Sequence, residues 1–172
     1  MLLEIVVQDQ IAIAIVFVFF IAIAWLLAEF KGMKDELKER LGINNDTLKF
    51  RIQAYERLTL LTDRISLKNL VTRTSYTNLS VIDLQLLLLQ TIRAEYDHNV
   101  SQQIYVSTDM WKAIGNLRDQ NIYIINQIAA NLPTRAPAVE LSKLLLEYAA
   151  NVNTDLSLIV MDALQFEAKQ LF

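Results

Sequence analysis

Cysteine is absent from this 172-residue chain, and glycine, proline and histidine number only three, two and one. Without cysteine there is no disulfide frame, no thiolate nucleophile, no zinc knuckle and no iron–sulfur site. So few glycines and prolines argue against glycine-rich phosphate loops and against sheet folds that need many tight turns. A single histidine, His98, rules out metal centres built on histidine pairs. A net charge of −3 lacks the basic excess that a nucleic-acid surface requires, so no nucleic-acid partner is expected.

Hydrophobic residues, in contrast, make up 53% of the chain. They are most concentrated in Ile11 to Ala28, IAIAIVFVFFIAIAWLLA, which has no charge, glycine or proline. As a helix this run spans roughly 27 Å at 1.5 Å per residue, close to the ~30 Å hydrocarbon core of a bilayer. A helix also satisfies every backbone group within the segment, as lipid demands. The expectation is a transmembrane helix over residues 11–30, preceded by a short extracytoplasmic stretch, 1–10. That stretch has no basic residue, so it does not read as a cleaved signal peptide.

Charge is unevenly spread. Residues 29–73 carry ten Lys/Arg against seven Asp/Glu, while residues 74–172 carry six against ten. Basic residues follow the apolar run and none precedes it, which places the N-terminus outside and the remainder in the cytoplasm. Trp25, Phe30, Lys31, Lys34 and Lys38 then become the membrane-interface residues, with the bilayer as a partner.

Past the anchor, Leu26, Phe30, Met33, Leu37 and Leu41 recur at spacings of three and four, the pattern of a helical connector over 31–44. Gly42 reads as the residue beyond its end. Asn45-Asp46 offers a cap for a helix buried through Leu48, Ile52, Tyr55, Leu58, Leu61 and Ile65. Arg73 to Asn78 reads as a loop within the polar stretch 66–79. Ser80 with Asp83 resembles a capping box, opening a helix to Tyr96 so apolar that neighbours should cover nearly all of it. Residues 98–106 fit either a turn or an extension of that helix. Ser107 caps a helix over 108–131, Pro137 suits the first turn of one over 139–149, and Asn153 or Thr154 caps the last, to 171. The fold class is therefore all-α: one N-terminal transmembrane helix, then a five- or six-helix bundle-like domain over 45–172.

Chemistry-bearing patterns are sparse. Glu95 and His98 stand at the Glu-x-x-His spacing of di-iron bundles, but the second such motif is missing, since His98 has no companion. Neither a metal nor any other cofactor is expected, and Glu95 and His98 remain weak candidates for metal ligands. No serine lies in a nucleophile-elbow context, so no catalytic residues are assigned. The densest polar cluster runs from Glu95 to Gln103 and precedes Tyr105 and Trp111. It admits three readings: a solvated loop, a hydrogen-bonded network that fixes a bend, or a partner-binding face. Asp97, Asn99, Gln102, Gln103, Tyr105 and Trp111 are its candidate members. Three Asn-x-Ser/Thr sequons, at Asn45, Asn78 and Asn99, stay unmodified if the domain is cytoplasmic.

Ala54-Tyr-Glu-Arg-Leu58, together with Glu95-Tyr-Asp-His-Asn-Val-Ser-Gln-Gln-Ile-Tyr-Val-Ser107 and the following Trp111, resembles an uncharacterised family of bacterial single-pass membrane proteins. The resemblance implies an N-terminal anchor, a helical cytoplasmic domain and an inner-membrane setting, and it implies no activity. The expectation is a membrane-anchored helical interaction or scaffold protein, or an accessory subunit of a membrane complex, that binds another protein or itself. Its rivals are a metal-binding or catalytic bundle centred on Glu95 and His98, and a module contacting anionic lipid through the connector.

Overall fold

The computed structural model describes the backbone at residues 2–151 and 155–171, and the side chains there other than those of residues 2–18, 24, 40, 43 and 44. It is all-helical, with no strand among the described residues. Helix α1 runs Leu2–Ile65, α2 Leu67–Arg73, α3 Val81–His98, α4 Thr108–Ala130, α5 Ala138–Asn151 and α6 Leu156–Lys169, with a 3-10 turn at Val100–Tyr105. The chain divides into two units, residues 1–47 and 48–172.

In the first unit α1 is continuous through Gly42, Asn45 and Asp46, so the expected stop and restart do not occur. One glycine costs a helix about 1 kcal/mol, whereas a break leaves unsatisfied backbone groups at two new ends. Nothing lies within 4 Å of a side chain placed at Gly42, so no neighbour forces the chain to turn. Of the expected membrane span, residues 11–30, the side chains of residues 11–18 and 24 lie outside the described ones. Among the described residues no helix is long and apolar enough to cross a membrane.

In the second unit the predicted stripe of α1 is where the core begins: Leu58, Leu61 and Ile65 are fully buried, while Leu48 and Ile52 are half-buried. At Ser66 the helix ends because the side chain competes for backbone partners. Its Oγ donates to Asp63 O at 2.8 Å, and its N–H is shared between Thr62 O and Asp63 O. The polar stretch that follows holds the short helix α2, which buries Leu67, Leu70 and Val71. Helices α2 and α3 both pack on α5, and α4 packs on α3, α5 and α6.

Several capping expectations are met. Ser80 and Asp83 form the reciprocal box, and Ser107 Oγ accepts from Met110 N–H at 3.0 Å. The chain segments entering α3 and α5 are laced together: Val81 N–H donates to Ala136 O at 2.9 Å and Ala138 N–H to Leu79 O at 3.0 Å. Asn78, at φ 63°, turns the chain into α3, a left-handed position that asparagine tolerates. The cap of α6 is Asp155, which accepts from Ser157 N–H. The expected caps, Asn153 and Thr154, lie outside the described residues.

Helix α3 corrects a second expectation. Leu84, Leu88 and Ile92 are fully buried, but Ile82, Leu86 and Leu87 face solvent, so one side of the helix is uncovered. Helices α3 and α4 run against each other along a seam where Gln85 Nε2 donates to Asn126 Oδ1 at 2.8 Å and Tyr96 meets Gly115. A Cβ at Gly115 would touch only the Tyr96 hydroxyl, at an ordinary 3.8 Å. Gly115→Ala is therefore expected to stabilise the domain by about 0.5–1 kcal/mol through helix propensity, read as a raised midpoint in urea.

Candidate functional site

Glu95 lies in the last turns of α3, where Arg64 of α1 and Arg73 of α2 converge on it. Arg64 Nη1 sits 3.3 Å from Glu95 Oε1, and Arg73 Nη2 sits 3.2 Å from the same oxygen. Three residues on, His98 Nε2 accepts from Arg57 Nη2 at 3.3 Å. Since a guanidinium only donates, the imidazole carries its proton on Nδ1 in this contact. Arg57, Arg64, Glu95, His98 and Asn99 thus line an open recess of about 180 Å³, with Leu60 and Leu61 supplying its apolar part.

Surroundings of this kind oppose a cation. The Glu95 carboxylate is occupied by two guanidinium groups, and the exposed lone pair of His98 is occupied by a third. Among the described residues no group of three His, Asp or Glu is placed to hold a metal ion. Two other carboxylates of this unit are engaged elsewhere: Asp63 accepts from Asn69, and Glu167 from Tyr55 and Ser107. The recess thus pairs the Arg57 and Arg64 guanidinium groups with the acceptors His98 and Glu95.

The polar cluster divides into a buried part and an exposed part. Asn99 and Gln102 are buried. Asn99 Nδ2 donates to Glu95 O at 2.9 Å, Gln102 N–H donates to Asn99 O at 2.9 Å, and Gln102 Nε2 donates to Ser101 Oγ at 3.1 Å. These bonds are local, and they lie where the α-helix gives way to the 3-10 turn. Asp97 and Gln103 face solvent, and so does Ile104, at 73% exposure.

The two aromatic members separate. Tyr105 stacks on Phe50 of α1, with ring centroids 6.2 Å apart. Trp111 packs on Tyr96 at 4.9 Å, and the Arg118 guanidinium lies 4.2 Å over the Tyr96 ring. Burial pushes the Tyr96 hydroxyl above the usual tyrosine range, against the opposing pull of Arg118. Arg118 in turn bonds Asp119 at 2.7 Å, which holds that carboxyl below the usual range. Trp25, Phe30, Lys31, Lys34 and Lys38 all belong to the first unit and are exposed there.

Two cross-links join distant parts of the second unit that the sequence pattern alone did not reveal. Asn121, buried in α4, donates from Nδ2 to Ile65 O at 2.7 Å, closing the end of α1. Glu167 of α6 accepts from Tyr55 Oη at 2.9 Å and from Ser107 Oγ at 2.5 Å, joining α1, the cap of α4 and α6.

A family model described as "Family of unknown function (DUF7935)" matches residues 1–171. No curated protein and no solved structure matches the chain.

Proposed function

The chain belongs to this family of unknown function, and from its own residues we propose a membrane-anchored helical interaction protein, serving as a scaffold or accessory subunit of a membrane complex. Residues 11–30 are its single transmembrane helix, and the charge placement sets the N-terminus outside and the domain in the cytoplasm. The resemblance noted above makes that membrane a bacterial inner membrane. In support, Phe19, Phe20, Ile21, Trp25, Leu26 and Leu27 are all exposed on α1, a surface that lipid covers and water does not favour.

The observation that carries the interaction reading is Ile104. This isoleucine is left in water on a 3-10 turn that is itself held by the buried Asn99 and Gln102. Val100, also exposed, lies one turn before it, and the arginine-rimmed recess follows directly from His98 and Asn99. A rigid apolar anchor beside guanidinium groups is the composition of a protein-binding centre, and its rigidity lowers the ordering cost of association. Neither rival has comparable support. The recess repels cations, and Lys31, Lys34 and Lys38 alternate with Glu29, Asp35, Glu36 and Glu39, which blunts attraction to anionic lipid.

The test is site-specific photo-crosslinking of the full chain in cells. A photoreactive residue at position 104 is expected to give one defined adduct, and the same residue at the exposed Lys112 none. Ile104→Asp should abolish co-extraction of the captured partner in detergent. Equal adducts at both positions, or capture that survives Ile104→Asp, would remove this face from the proposal.

A further inference from the structure

The second half of the first unit carries an apolar stripe that its own helix leaves open. Phe30, Met33, Leu37 and Leu41 lie on one side of α1, each between 56% and 59% exposed. With Leu26 they recur at 4, 3, 4 and 4 residues, so Leu26 and Leu37, and Phe30 and Leu41, repeat at eleven. An eleven-residue repeat has a period of about 3.67, near the 3.6 of a straight helix. Two such helices can lie along each other over this length with little supercoiling, and α1 is unbroken throughout it.

Flanking charges select the partner and its direction. Glu29 directly precedes the seam residue Phe30, and Lys34 directly follows Met33. In a parallel helix pair, a residue before one seam position faces the residue five further along the other helix. Glu29 of one copy then meets Lys34 of the other, twice by symmetry. An antiparallel pair would bring Glu29 toward Glu36 of the other copy. Across residues 29–41 four acids balance four bases, so the surface complements itself better than it complements a surface of single sign.

We infer that residues 26–41 of α1 pair with the same residues of a second copy of this chain, as a parallel, in-register helical dimer. The inference does not depend on residues 11–30 crossing a membrane or on a partner at Ile104. The seam and the charges carry it, and a common anchor would only raise the local concentration of copies.

A chain without cysteine makes the test direct, because a single introduced cysteine reports on one position. In a parallel dimer, seam positions face their own copies within the 4.4–6.8 Å Cα separation that a disulfide accepts. The full chain carrying Phe30→Cys or Leu41→Cys is expected to link to itself on mild oxidation, and the chain carrying Asp35→Cys, on the opposite side of the helix, is not. Met33→Cys repeats the measurement with both ends of the seam intact. Lys34→Glu in the Leu41→Cys background should slow linking about fivefold, as two attractions become repulsions, and adding Glu29→Lys should restore it. Links between positions 30 and 41 in a mixture, in place of self-links, would overturn the parallel pairing. Linking at 35 as fast as at the seam, or the lack of any dimer with all three seam cysteines, would overturn the pairing itself.

Discussion

Asn121→Leu is expected to lower the unfolding free energy by about 2 kcal/mol, and Asn121→Asp by more. Asn121 is 4% exposed and spends its amide on the Ile65 carbonyl, one of the last carbonyls of α1, which have no partner within that helix. Leucine fills the space but leaves a buried acceptor without a donor, a loss of about 1–3 kcal/mol. Aspartate at neutral pH sets a buried carboxylate against a carbonyl oxygen, and both repel. Protonation converts that carboxyl into a donor, so burial and the carbonyl raise its pKa in the folded state. The penalty of Asn121→Asp relative to the parent chain should therefore shrink as pH falls toward 4, whereas that of Asn121→Leu should not. Urea midpoints of the three proteins at pH 7 and pH 4 decide this. Equal penalties at both pH values would mean that Asn121 acts through packing alone.

The legible and illegible parts of this chain separate by range. Local signals were readable: Ser80 with Asp83, Ser107 before α4, and the stripe Leu58, Leu61, Ile65 are set by residues three or four apart. Gly42 misled because a local stop signal is worth about 1 kcal/mol, less than the loss at two new helix ends when nothing nearby rewards a turn. Helix α2 was hidden by its seven residues, too few to show a period, although Leu67, Leu70 and Val71 bury at helical spacing.

Site residues followed the same rule. Glu95 and His98 were picked out by a ligand-like spacing, but their chemistry is decided by Arg57, Arg64 and Arg73, which lie 41, 31 and 22 residues from their partners. Nothing in the spacing shows that guanidinium groups arrive there. Asn121 did leave a trace. It occupies the stripe of Ile114, Leu117, Ile125 and Ile128, and a polar residue at an apolar position needs a buried partner. The partner's identity, a carbonyl at the end of another helix, came only with the fold.

Glu167→Ala is expected to destabilise the domain by about 2 kcal/mol, because it removes the acceptor of two charge-assisted bonds between helices. One donor, Tyr55, is 4% exposed, and its hydroxyl points at Glu167 from across the domain. The other, Ser107, keeps its cap on Met110 when Glu167 is lost, so α4 should remain helical. Tyr55→Phe combined with Glu167→Ala should cost less than the two single losses added, leaving a coupling of about 1 kcal/mol. Full additivity would show that the pair is adjacent without being linked. Alkaline pH gives a second reading of the same contact. Burial, then the bond and charge of Glu167, raise the Tyr55 hydroxyl above its ordinary value of 10.0, with Arg51 pulling the other way. The folded protein thus holds this proton more tightly than the unfolded chain does. The stability it contributes is fully present below pH 10 and is lost as pH rises through the higher folded value. Tyr55→Phe should flatten the fall in stability above pH 10, and the part that remains should carry the contribution of Tyr96, which is raised in the same direction. Glu167→Gln keeps the burial and removes the charge, so its profile should lie between those of the parent and Tyr55→Phe. An alkaline profile of Tyr55→Phe identical to that of the parent would place the sensitivity elsewhere and break the link between α1 and α6 drawn here.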